Sequence, residues 1–201
     1  MERFCSAVRM DSRAEAGLRL GFRFLEVLLA GSRSGELPEA LCCELVWRLG
    51  DDGLDFVVGC APGVDRSFRL ALAREGLAAR SFVACASRER LRCAYGLPAA
   101  VVVPEALSMA AALHRRTVWM VRRSSVVVLF PEGRDGSWGP GSRLVLRTAL
   151  EQGKPVFVAS GTEPRVPAPA AILPGSLYGL VRGWWVVPHA VHADTLCDVE
   201  A

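Results

Sequence analysis

The stretch SVVVLFPEGRDGSWGPGSRLVLRTALEQGKPVFVA, residues 125–159, decides the fold. Ser125–Phe130 is a continuous run of β-branched and apolar residues, the composition of a strand buried on both faces of a parallel sheet. An eleven-residue loop, 131–141, follows it with four glycines, two prolines and Trp138. The spacing predicts a helix over 142–152, stopped at Gly153 by a natural C-terminal cap. Lys154–Ala159 then reads as the next strand. Strand, glycine-rich turn, helix and strand is the repeating unit of an α/β sheet.

The same unit recurs upstream. Phe24–Ala30 (FLEVLLA) reads as the first strand, ending in Gly31-Ser32-Arg33-Ser34-Gly35, with a helix over 38–49. Asp55–Gly59 (DFVVG) is the second strand and runs into Cys60-Ala61-Pro62-Gly63-Val64-Asp65. In the next helix Val64, Phe68, Ala71 and Leu72 form one apolar face, which leaves Arg66, Arg69 and Arg74 off it. Ser81–Cys85 is the third strand, with a polar, arginine-bearing loop after it. A long helix is expected over 105–122, with Pro104 at its start. Residues 160–175, rich in Pro and Ala, read as an irregular connection, and 177–187 as an added edge strand or hairpin. The expected fold class is α/β: a Rossmann-like, doubly wound, mainly parallel five-stranded sheet in the order 3-2-1-4-5 with helices on both faces. Residues 1–22 are expected to be an N-terminal extension, 23–160 the Rossmann-like domain, and 161–201 a C-terminal extension packed on it.

Composition bounds the function. Of the 201 residues 51% are hydrophobic and 22% charged, enough for a core and too apolar for a disordered chain. No apolar run approaches the roughly 18 residues of a membrane span; Leu97–Leu113 is interrupted by Pro98, Pro104 and Glu105. No membrane partner is expected. Twenty-four basic residues against 21 acidic ones give a net charge of +3, too mild to announce a nucleic-acid binder by itself. The only lysine among them is Lys154. A GC-rich genome explains that bias, but not why Arg33, Arg66, Arg88, Arg134 and Arg143 all fall in or just after loops at one edge of the expected sheet. The seven cysteines are odd in number and form no C-x-x-C pair, which fits neither a disulfide framework nor a zinc ribbon. His189 and His192 near Cys197 lack a supporting acid or histidine pattern, so no metal site is expected. With no apolar leader in Met1–Asp11, thiols in a reducing cytoplasm are the expectation.

Ligands of open parallel sheets gather at the carboxyl ends of the strands. Three loops there share one character: Gly31-Ser32-Arg33, Gly59 to Asp65 (with Ala61 and Gly63), and Gly139-Pro140-Gly141-Ser142 followed by Arg143. Glycine lets backbone N–H groups approach an anion, and a helix N-terminus favours negative charge there. Arg33 and Arg143 add the planar fork that matches a phosphate. Neither G-x-G-x-x-G nor G-x-x-x-x-G-K-[ST] is present, which disfavours ordinary dinucleotide binding and ATP hydrolysis.

These motifs resemble the SLOG superfamily, the Rossmann-like group that joins SMF/DprA DNA-processing proteins to LOG enzymes. Leu29-Ala30-Gly31-Ser32-Arg33 is similar to its opening strand and G-S-R turn. Gly59-Cys60-Ala61-Pro62-Gly63-Val64-Asp65 resembles its G-G-A-x-G-V-D element, with Cys60 where a second glycine is usual. Arg115-Arg116-Thr117 looks like its R-R-N, and GPGSRLVLRTALEQGKPVFV, 139–158, is close to the DprA-type stretch. The likeness runs from about Val27 to Ser160 and is closer to the DprA-like and YspA-like branch than to LOG phosphoribohydrolases. It implies binding of phosphate through Gly31, Ser32, Arg33, Gly59, Ala61, Gly63, Asp65, Arg116, Gly139, Gly141, Ser142 and Arg143. LOG hydrolases carry a glutamate that takes part in cleaving the N-glycosidic bond; here Val145 stands in its place, and valine can neither move a proton nor stabilise an oxocarbenium-like centre.

Three readings stand at this point. The first is a single-domain module that binds a nucleotide or another phosphate-bearing small molecule, with no cofactor. The second is single-stranded nucleic-acid binding of the DprA kind, with Trp138 as a stacking platform beside Arg134 and Arg143. The third is a nucleotide N-glycosidic hydrolase, disfavoured by Val145, with Glu132 and Asp135 as the substitute acids. Self-association, common in the family, is a further expectation, and 177–187 could supply the interface.

Overall fold

The computed structural model describes residues 25–104, 107–133, 135–166 and 169–189. The first 22 residues, Cys197, His192 and Arg134 lie outside the described residues. In chain order the elements are β1 (Glu26–Gly31), α1 (Glu39–Asp51), β2 (Asp55–Gly59), α2 (Val64–Arg74), β3 (Ser81–Cys85), β4 (Ala99–Val101), α3 (Met109–Arg123), β5 (Val126–Phe130), α4 (Pro140–Glu151), β6 (Val156–Val158), β7 (Ala170–Leu177) and β8 (Val181–Pro188). Short 3-10 turns flank β3 at Ala78–Arg80 and Arg88–Ala94.

The fold is α/β and Rossmann-like with a mainly parallel sheet, but the sheet has eight strands, not five. Its order, β4-β3-β2-β1-β5-β6-β8-β7, differs from the expected one by additions at both edges. On one side β4 continues the parallel ladder from β3. It is only three residues long, too short for a periodicity to register. On the other side β8 runs antiparallel to β6, and β7 antiparallel to β8. The expected irregular connection at 160–175 is therefore corrected: its last residues open β7. Pro174 misled the reading of that segment, since proline is excluded only from strands paired on both sides. Pro169 O accepts from His189 N, so the even residues of β7 turn their backbone groups outward. Pro174 is among them and offers no N–H to a passing strand.

Alternation along the strands splits the core in two. Val27, Leu29, Phe56, Val58, Val83 and Phe157 face α1 and α2 in one buried cluster. Leu28, Ala30, Val57, Val127, Leu129, Val156 and Val158 face α3 and α4 in the other. Both faces are covered, which is why the strands read as unbroken apolar runs.

Two helix starts and one side chain differ further from expectation. α3 begins at Met109, with Ser108 as N-cap accepting from Ala111 N at 3.4 Å, rather than after Pro104. α4 begins at Pro140, whose missing N–H costs nothing at the first helical position. Arg69, expected off the apolar face of α2, is 1% exposed. Its Nε donates to Cys93 O (2.8 Å), one terminal nitrogen to Ala61 O (2.9 Å) and the other to Gly59 O. A guanidinium that satisfies three carbonyls can be buried where periodicity alone would not put it. The single lysine acts just as locally. Lys154 Nζ donates to Val121 O, Arg122 O and Ser124 O at 2.5–2.8 Å, closing the C-terminal end of α3. Three rotatable donors on one point charge suit three converging carbonyls.

Candidate functional site

The winding of the sheet reverses between β1 and β5, which are neighbours although β2, β3 and β4 lie between them in the chain. The loops leaving their carboxyl ends therefore part there, opening a crevice. A cleft of about 1220 Å³ occupies it. Arg33 comes to it from the turn after β1; Ser137, Trp138, Pro140, Gly141, Arg143, Leu144 and Arg147 from the loop after β5 and the start of α4. His114 and Thr117 come from α3, and Thr162, Glu163 and Arg165 from the segment after β6.

Three of its four arginines, Arg33, Arg143 and Arg165, pair with no carboxylate among the described residues. Arg147 reaches Glu151 at 3.7 Å, an exposed pair one helical turn apart and worth little. The cleft is thus cationic, with Glu163 as its acid. Gly139, Pro140 and Gly141 begin α4 with no side-chain cap, so the first backbone N–H groups and the positive end of the helix face the same space. Neither Gly139 nor Gly141 has a heavy atom within 4 Å of where a Cβ would stand. Ser142 points elsewhere: it is buried, and Oγ donates to Pro131 O at 3.4 Å.

Trp138 is held over the cleft by a compact turn. Gly133 N donates to Ser137 O, Asp135 accepts from Ser137 N and Oγ, and Trp138 bridges back to Glu132. Glu132 in turn accepts from Ser160 Oγ at 2.6 Å. Part of the indole packs on the α3–α4 core cluster. That contact fixes its angle and leaves the rest of the ring toward the cleft.

The remaining sequence-predicted residues lie behind this surface. Gly63 lets the first two loops close on each other, with Val64 N donating to Ser32 O (3.0 Å), and Gly31 lets the first loop continue the ladder to β5, with Ser32 N donating to Phe130 O (2.9 Å). The N-terminus of α2 is therefore occupied by a carbonyl. Gly59 leaves room for a buried pair, since a Cβ there would strike Asp65 Oδ2 and meet Arg116 Cζ at 3.0 Å. Arg116 and Asp65, each 4% exposed, approach at 3.8 Å, and Arg116 also donates to Cys60 Sγ at 3.3 Å. Burial pushes the Asp65 carboxyl up, outweighing the pull of Arg116, Arg69 and the Ala61 N–H. Ala61 is buried beside them. So Arg33, Gly139, Gly141 and Arg143 gather at or beside the cleft, while Asp65, Arg116 and their glycines brace the loops from below. Val145 is buried in the α3–α4 cluster. Arg147, Arg165, Thr162 and His114 line the cleft without having been singled out. Arg147 could have been found from the sequence, because i and i+4 share a helix face with Arg143; the other three depended on the path of the chain.

No family model matches the chain, and no curated protein matches it. Solved structures do. The structure of DNA processing protein A from Streptococcus pneumoniae is 20% identical over 72% of this chain and 52% of that one, with a TM-score of 0.54. DNA processing protein A from Helicobacter pylori, a structure described for its single-stranded DNA binding mode, is 18% identical over 71% of this chain and 66% of that one, with a TM-score of 0.50. The chain thus matches little more than half of the first and two-thirds of the second. These neighbours belong to the SLOG branch that the sequence motifs resemble, and what the chain shares with them is their Rossmann-like fold.

Proposed function

We propose that the chain is a nucleotide-binding module whose cleft takes a phosphate-bearing ligand between Arg33, Arg143 and the N-terminus of α4. The observation that carries this is the convergence of four arginines and an uncapped helix N-terminus on one crevice, with Trp138 beside them. Guanidinium forks and free backbone N–H groups are the donors a phosphate wants, and an indole face suits a base. The absence of a carboxylate on α4 at the position where Val145 is buried favours binding over glycosidic cleavage.

A second reading has its own support. At about 1220 Å³ the cleft exceeds the usual 300–1,000 Å³ of a small-ligand pocket. Arg66, whose Nε bonds Tyr95 Oη at 3.2 Å, extends the basic edge past the first two loops. A single strand of nucleic acid would use that length, as the Helicobacter pylori neighbour's description would suggest. The two readings part under salt. Thermal shift with mono-, di- and cyclic nucleotides beside a short oligonucleotide tests both. A ligand at 100 times its Kd adds about 2.7 kcal/mol. Affinity for the oligonucleotide that falls with a log–log salt slope of several ions supports a phosphate track. A nucleotide shift with a shallow slope supports the module, and no shift from any of them rejects both.

A further inference from the structure

Cys60, which stands where the related motif carries glycine, is not alone. β2 and β3 run parallel with Gly59 opposite Ala84. One residue further, that register sets Cys60 beside Cys85, at a strand spacing of about 4.8 Å. Both belong to the same buried cluster, so their side chains leave the same face of the sheet. The spacing lies within the roughly 4.4–6.8 Å between Cα atoms that a disulfide spans, yet both cysteines are free.

Their surroundings make them unequal. Arg116 Nη1 donates to Cys60 Sγ at 3.3 Å, and Arg116 Nε has no partner although it is buried. Among the described residues two buried guanidiniums, Arg69 and Arg116, meet only one buried carboxylate, Asp65; a thiolate at Cys60 supplies the missing negative charge. The Cys85 thiol and Arg116 both hold Cys60 below the ordinary thiol range, while the same partnership and burial push Cys85 above it. The hydrogen bond from Arg116 favours the thiolate at Cys60 and leaves Cys85 as the partner that holds a proton; both are enclosed, so an oxidant reaches them only through local opening.

We propose that Cys60 and Cys85 form a reversible dithiol–disulfide pair, oxidised by a small hydroperoxide and reduced by an external thiol. The Cys60 thiolate attacks the terminal peroxide oxygen, the O–O bond breaks, and the leaving oxygen departs as water or alcohol after taking a proton. Cys60 is then a sulfenic acid. Cys85 loses its proton and attacks that sulfur; the S–S bond forms, the S–O bond breaks and water leaves. Two thiols are oxidised by two electrons and one peroxide is reduced. The disulfide removes the negative charge beside Arg116, on the helix that also carries His114 and Thr117 into the cleft.

The test uses the full wild-type chain. It is treated with hydrogen peroxide, quenched, unfolded in acid, alkylated and digested with trypsin, which places Cys60 and Cys85 on separate peptides, 49–66 and 81–88. The expected product is those two peptides joined and two hydrogens lighter, released by dithiothreitol, with Cys42, Cys43 and Cys93 alkylated. Cys60 and Cys85 are 1% and 0% exposed, so local opening sets the rate, and what marks the pair is the disulfide itself and not speed over the half-buried Cys43 and Cys93. In Cys85→Ser the sulfenic acid should persist and be trapped by dimedone on Cys60. Oxidation that leaves Cys60 and Cys85 both alkylatable, or that consumes Cys60 while Cys85 stays alkylatable, overturns the proposal.

Discussion

Arg116→Leu is expected to cost about 3–5 kcal/mol, the range found when one partner of a buried ion pair is removed. The guanidinium is almost wholly enclosed, stands 3.8 Å from Asp65 and donates to Cys60. Leucine fills part of the space but leaves the carboxylate without its nearest cation. Burial already pushes the Asp65 carboxyl up, and losing Arg116 pushes it further. The sign of the pH dependence follows. A carboxyl whose folded pKa is raised holds its proton more tightly folded than unfolded, so stability falls as pH rises from about 3.9, the unfolded value, through the folded one. Urea denaturation should show the midpoint shifted down with an unchanged slope, and a smaller deficit at pH 5 than at pH 8. Asp65→Asn in the same chain should recover part of the loss, because an amide does not need the cation. A deficit below about 1 kcal/mol would mean that the pair does not brace the loops.

Gly63→Ala is the second large effect, about 2–6 kcal/mol, the sum of a strained backbone and a crowded methyl. Gly63 is the N-cap of α2 at φ 72° and ψ −135°, a region that costs other residues about 1–3 kcal/mol. Strain is only half of it. The added methyl would run into Ser32 O and stand 2.5 Å from Arg33 O, and backbone cannot yield as a side-chain tip can. Overpacking of this kind adds about 1–3 kcal/mol. Relief would come from moving the Ser32–Arg33 turn, so the variant should also displace Arg33 from the cleft. Denaturation measures the first consequence and loss of nucleotide binding in the folded fraction the second. A variant as stable as the wild type would contradict the locked arrangement of the two loops.

The parallel centre of the sheet was legible because each strand there is buried on both faces and carries little but Val, Leu and Phe. The edges were not. β4 is too short to show a period, and β7 holds Pro174 and Gly175, residues that signal a turn unless the strand is known to be outermost. At the site, glycine and arginine spacing pointed to the edge of the sheet where the cleft opens, since crevices there follow from topology. Periodicity misplaced Arg69, whose burial depends on three carbonyls supplied by β2, the loop after it and the turn at Cys93. Nor does sequence separate a residue that lines the cleft from one that supports it. Arg33 and Arg116 both belong to recognisable motifs, but only the packing of α3 against β2 places Arg116 beneath the surface.

If the cleft binds phosphate through Arg33 and Arg143, removing both guanidiniums abolishes tight binding and leaves the fold intact. The wild-type chain and Arg33→Ala/Arg143→Ala are titrated calorimetrically with the nucleotide that gives the largest thermal shift. Both arginines are exposed, so the variant should fold with wild-type stability. Two charge-assisted contacts at about 1.5–3 kcal/mol each should cost it roughly 100-fold or more in affinity. Saturable binding of equal affinity in the two proteins would show that the ligand lies elsewhere.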